Sequence, residues 1–131
     1  MADMQQSLKK QARLLVRSRL FNVDNGAGTT IDDVLMKHSK AVRILKARVV
    51  YTTETAGTIA AGTISLGTTV GGVEVVAATA YENSKTVGTE TALVLAINEI
   101  AAGTMLSCRH TGVASAAAGE VYAEVEYSVH E

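Results

Sequence analysis

Glu120-Val121-Tyr122-Ala123-Glu124-Val125-Glu126-Tyr127-Ser128-Val129 alternates without a break. Successive side chains of a strand leave opposite faces. Val121, Ala123, Val125, Tyr127 and Val129 therefore share one face, and Glu120, Tyr122, Glu124, Glu126 and Ser128 share the other. This predicts a strand with one face on a core and one acidic face in water, as antiparallel sheets have. Acids at alternate positions of a wet strand supply solubility, so Glu120, Glu124 and Glu126 read as a solvated face and not as a carboxylate site.

The same texture runs back to Val42. β-branched residues and Thr alternate with small residues, and Gly punctuates the chain. That suits short strands and tight turns. Strands are predicted at Val42–Thr53, Thr58–Ala60, Thr63–Thr69, Val73–Tyr81, Thr89–Ile97, Met105–Thr111 and Glu120–Val129. Many short strands with a turn signal about every ten residues indicate a sandwich or small barrel, not a parallel sheet. Ile59-Ala60-Ala61-Gly62-Thr63 returns as Ile100-Ala101-Ala102-Gly103-Thr104. Each copy precedes a strand and is followed by a Gly-led one, as the halves of a double Greek key would be. The expected fold is all-β, a jelly-roll-type antiparallel sandwich over residues 42–131, carrying an N-terminal, partly helical arm.

That arm is read from spacing. Met4, Leu8, Ala12 and Leu15 recur three or four residues apart, widened by Leu14, Val16 and Leu20, while Lys9, Arg13 and Arg17 line another face. This predicts an amphipathic helix over residues 3–20. Asn22 to Thr30, with its Asn25-Gly26 turn dipeptide, reads as a flexible linker, so residues 1–30 form arm and linker. Thr30 and Asp33 resemble a capping box with a shortened acid, which predicts a short helix to about Ser39 within a connector at residues 31–41. An apolar stripe on such an arm requires a cover. Met4, Leu8, Lys9, Ala12, Arg13, Leu15, Arg17 and Leu20 are the candidate partner-binding residues.

Charge divides the chain in the same place. Residues 1–48 hold ten cations against four anions, and residues 49–131 hold two against nine, giving +6 and −7 within a net charge of −1. A basic segment of this kind meets an acidic partner or folds along the acidic body of its own or a neighbouring copy. The cations are interleaved with Leu and Val and not with stacking aromatics, and no nucleic-acid motif accompanies them, so nucleic acid is not an expected partner.

Length and composition narrow the rest. A chain of 131 residues supports one core. It is 47% apolar but only 4% aromatic, without Trp, so that core is built of Ala, Val, Ile and Leu. Cys108 is the only cysteine, which excludes an internal disulfide framework, and it reads as a small buried hydrophobe on a strand. No apolar run reaches the roughly 20 residues of a membrane span, and the N-terminus lacks the order of a secretory signal. The expectation is synthesis in a reducing cytoplasm, with no membrane association.

No catalytic set emerges. His38, His110 and His130 are scattered, and none forms the His-x-His pair of a metal-binding cupin barrel. Gly26-Ala27-Gly28 and Gly71-Gly72 are not strand-loop-helix junctions followed by Lys, so neither is a phosphate cradle. Asp32 and Asp33 are the only adjacent acids, too few for a calcium loop. Neither catalytic residues nor a cofactor or metal are expected.

From Arg48 to Glu131 the Val49-Val50-Tyr51 opening, the Ala-Ala-Gly-Thr turns and the closing Gly119–Tyr127 strand resemble small jelly-roll proteins of tailed-bacteriophage virions, in particular the capsid decoration or cement class. The resemblance implies a virion-surface protein, made in the host cytoplasm, that binds the major capsid protein and itself as a homodimer or homotrimer. Arms of such proteins reach over neighbouring capsomers. The other reading carried forward is a receptor- or glycan-binding module associated with a head or tail fibre.

Overall fold

The computed structural model describes residues 13–114 and 117–130. Among the described residues ten strands form: β1 (Leu14–Arg17), β2 (Phe21–Asn22), β3 (Thr30–Lys37), β4 (Val42–Tyr51), β5 (Thr63–Gly67), β6 (Val76–Ala80), β7 (Glu90–Leu93), β8 (Glu99–Ile100), β9 (Met105–Thr111) and β10 (Glu120–Val129). One sheet has the order β1-β10-β4-β7, with β2 on β10 and β8 on β4; the other has the order β3-β9-β5-β6. All pairings between named strands are antiparallel.

The two longest strands, β4 and β10, form the centre of the first sheet, from Val121 opposite Tyr51 to Val129 opposite Val42. Glu126 faces Lys46 and Tyr127 faces Ile44, so Leu45 is an extra residue, a bulge in β4. The bulge keeps Ile44 and Ala47 both on the inner face despite their odd spacing. Inward Ile44, Val49, Val121, Ala123 and Val125 of the first sheet pack with Ile64, Leu66, Leu106 and Cys108 of the second. Phe21, Tyr51, Tyr81 and Tyr127 are buried with them, so most of the few rings lie inside.

The strands at Met105–Thr111 and Glu120–Val129 fall where the alternation places them. Thr58–Ala60 is not a strand. Ile59 is a fully buried plug at a turn, its carbonyl accepting from Gly62 N–H and its own N–H bound to Asn83 Oδ1 at 2.8 Å. The five-residue repeat does not mark equivalent halves either. Its copies lead into β5 and β9, neighbours in one sheet, whereas the strands that follow, β6 and β10, lie in opposite sheets.

Two helical expectations are overturned. Arg13 to Leu20 contains no helix: Leu14 to Arg17 pair with Tyr127 to Glu124 as β1. Leu14-Leu15-Val16-Arg17 satisfies a period of two as well as one of 3.6, and the open edge of β10 offers backbone partners that decide between them. Met4, Leu8, Lys9 and Ala12 lie outside the described residues. Residues 30–37 are likewise a strand, β3, with Thr30 as its first residue and not a helix cap. Ile31 and Leu35 are half-buried against the core, and β9 satisfies the backbone of β3. Nor is the stretch between these strands a loose linker. Phe21 and Val23 are fully buried, and Gly26 and Gly28 donate to the carbonyls of Val113 and Gly112.

Candidate docking face

The outer face of the β1-β10-β4 sheet carries the densest polar arrangement among the described residues. Register places Arg17 of β1, Glu124 of β10 and Arg48 of β4 in one row across the sheet. Side chains directly opposite one another on a sheet face are close enough to pair. Glu124 Oε2 accepts from Arg17 Nε at 2.5 Å, and Glu124 Oε1 accepts from Arg48 Nε at 2.8 Å and also from its Nη2. Arg48 also lies 3.4 Å from Glu90, and Arg17 stacks over the Tyr122 ring at 5.1 Å.

The row buries its centre. Glu124 is only 5% exposed, although it stands on the strand's polar face. Burial alone pushes its carboxyl up, but the hydrogen bonds and charges of Arg48 and Arg17 outweigh this and hold it below the usual carboxylate range. The sequence reading of Glu124 as solvated is thus corrected. Strand alternation gives the face a side chain points to; the two arginines beside it come from distant strands. The charge split was the available signal. Arg13 and Arg17 of the basic segment fold along acids of the chain's own body, Arg13 lying 3.8 Å from Glu126.

Of the candidate partner-binding residues that are described, Arg13, Leu15 and Arg17 share this outer face. Leu15, opposite Glu126, is 55% exposed, and Leu20, in the turn before β2, is 54% exposed. Leu14 and Val16 turn the other way, Val16 packing against the core. The apolar stripe is therefore divided between two faces.

The potentially reactive side chains do not gather. Cys108 is fully buried in β9, and burial pushes its thiol up to about 12. His110 lies in the core, His38 tilts against Tyr127 at 5.6 Å, and His130 is 3.9 Å from Glu99. Among the described residues no three His, Cys, Asp or Glu side chains come together to hold a metal ion. On the second sheet, Asp32 of β3 pairs with Arg109 of β9 through two hydrogen bonds of 2.8 and 2.9 Å.

This sandwich is a fold found in virus capsids. One chain of the Cyanophage Pam1 capsid asymmetric unit superposes with a TM-score of 0.62 at 10% identity, over 90% of this chain and 85% of that one. A chain of the capsid of Ralstonia phage GP4 superposes with a TM-score of 0.54 at 14% identity, over 93% and 87%. Such identities establish a shared fold. No protein-family model matches the chain, and no curated protein matches it.

Proposed function

We propose that this chain is a non-enzymatic virion protein that decorates and stabilises the outer surface of a phage capsid. The observation that carries the reading is mutual coverage. Nearly all of this chain superposes on nearly all of two capsid chains of similar length. The strand order supports it: β1-β10-β4-β7 over β3-β9-β5-β6, with the chain crossing repeatedly between sheets, is the order of a jelly roll.

On this reading the chain assembles as a dimer or trimer, with Arg13, Leu15, Arg17 and Leu20 among its contacts to the shell. Repeated weak contacts across many copies then stabilise the particle by mass action and avidity. The glycan-binding alternative needs an exposed aromatic platform. Tyr51, Tyr81 and Tyr127 are buried and Tyr122 lies under Arg17, which favours decoration. The test is titration of the purified protein onto undecorated shells. Saturable binding at fixed stoichiometry is expected, with raised thermal stability of the particle. Absence of saturable binding overturns the reading.

A further inference from the structure

The Asn25-Gly26 dipeptide in the β2–β3 connection is prone to a covalent change that the fold opposes. Glycine has no side chain to shield its backbone nitrogen, so in an open chain that nitrogen reaches the side-chain carbon of the preceding asparagine. In the sandwich both reacting groups are held. Gly26, with a φ of +120°, donates its N–H to the Val113 carbonyl at 2.9 Å. Asn25 Oδ1 accepts from His110 Nε2 at 3.2 Å. The missing side chain of Gly112 makes room for that oxygen, since a Cβ there would fall on Asn25 Oδ1. Gly28 N–H bonds to the Gly112 carbonyl and Gly112 N–H to that of Thr29, which closes the rest of the segment. Asn25 Nδ2, the leaving group of the reaction, is buried and meets no hydrogen-bond partner among the described residues.

We propose that Asn25 is a fold-gated deamidation site, closed in the intact sandwich and converted to an acid when segment 22–29 opens. Attack requires Gly26 N to leave Val113 and the Asn25 amide to leave His110, because the reacting atoms must first meet in line. The nitrogen then loses its proton to solvent and forms a bond to Asn25 Cγ. The Cγ–Nδ2 bond breaks, and Nδ2 departs as ammonia with a proton from solvent. Water hydrolyses the cyclic imide at either carbonyl, leaving aspartate or isoaspartate, and nothing is oxidised or reduced. Neither product restores the site. Aspartate sets a carboxylate against His110, its second oxygen in the buried position that Nδ2 held without a partner. Isoaspartate adds a methylene to the main chain between residues 25 and 26, so Gly26 no longer keeps register with Val113. An opening that reacts is thereby recorded irreversibly.

The test incubates the full chain in mildly alkaline buffer, with and without denaturant, and locates deamidation by peptide mass mapping. Asn22 and Asn98, followed by Val23 and Glu99, serve as internal references. Asn25 should react fastest of the three in denaturant. In the folded protein it should slow by at least about tenfold, in step with the protection of the Gly26 amide against hydrogen exchange. Equal rates in the two conditions, or slowing that does not follow that protection, overturn the proposal. Gly112→Ala, which displaces Asn25 Oδ1, should raise the rate in native buffer about tenfold and leave the rate in denaturant unchanged. A folded Gly112→Ala protein that reacts no faster than the wild type overturns it too, and the wild-type comparison decides alone if that variant does not fold. None of these readouts involves a shell, so failure here and failure of the decoration reading are separable.

Discussion

The Tyr81 hydroxyl and His110 Nδ1 share a hydrogen bond of 2.6 Å, wholly inside the core. Asn25 Oδ1, 3.2 Å from Nε2, can only accept, so Nε2 carries the proton and Nδ1 accepts from the Tyr81 hydroxyl; Phe21 stacks on the ring with centroids 5.1 Å apart. A neutral imidazole satisfies both contacts. Burial pushes the His110 pKa below its ordinary 6.5, partly opposed by a hydrogen bond to the backbone of Asn22. The unfolded chain then binds the proton first, and stability present above pH 6.5 is lost as pH falls below it. The midpoint of thermal unfolding should hold between pH 8 and 7 and decline below 6.5, by at most about 1.4 kcal/mol per pH unit from this group. His110→Gln should start lower at pH 8 but show a flatter profile between pH 6.5 and 5. Parallel profiles for the two proteins would remove His110 as the cause.

The same pair makes a second prediction, away from acid. Tyr81→Phe keeps the ring in the core and deletes only the hydroxyl, leaving His110 Nδ1 as a buried acceptor without that donor. The expected loss is about 1–2 kcal/mol by denaturant unfolding at pH 8, with an unchanged slope on denaturant concentration. A loss below about 0.3 kcal/mol would mean that the bond contributes nothing net.

Glu124 predicts a separate acid transition. Its folded-state pKa is depressed below 4.5 by Arg48 and Arg17 against the opposing effect of burial, so its contribution is present above pH 4.5 and lost as pH falls through the folded value. Glu124→Gln at pH 7 should cost about 2–3 kcal/mol, because Arg48, itself largely buried, loses its closest counter-charge. Arg17→Ala should cost under about 1 kcal/mol, since that side chain is 60% exposed and water replaces the pair. Equal losses for the two variants would contradict the asymmetry of burial.

Most of the sandwich is legible in the sequence, and what is not legible depends on partners far along the chain. Alternation places β9 and β10 to the residue, because each has one buried face, Leu106, Cys108 and His110 in β9 and Val121, Ala123, Val125 and Tyr127 in β10. Leu14 to Arg17 and Thr30 to Lys37 fit either period, so the vacant edges of β10 and β9 decide them, and no local pattern carries that information. His110 reads as an isolated strand histidine because its partners, Tyr81, Asn25 and Phe21, are 29, 85 and 89 positions away. The docking face is legible only in outline. Opposite charge in the two segments anticipates that they pair, but the row Arg17-Glu124-Arg48 follows from strand register.

Gly67 and Gly103 supply a final contrast, between a glycine needed for space and one needed for conformation. A Cβ on Gly67 would lie 2.3 Å from the backbone carbonyl carbon of Gly72, so the ends of the β5–β6 loop close only if position 67 has no side chain. Backbone cannot give way as a flexible side chain does, and Gly67→Ala should cost about 3 kcal/mol or more. Gly103 has open space around it but a φ of +77°, so Gly103→Ala meets only the left-handed penalty of about 1 kcal/mol. Gly103→Asn should cost less still, since Asn tolerates that region. Thermal unfolding of the three variants should rank Gly67→Ala well below Gly103→Ala, with Gly103→Asn nearest the wild type. A Gly67→Ala protein as stable as Gly103→Ala would mean that the loop opens freely. Its hold over Arg109, whose guanidinium lies under Gly71, would then contribute little to the second sheet.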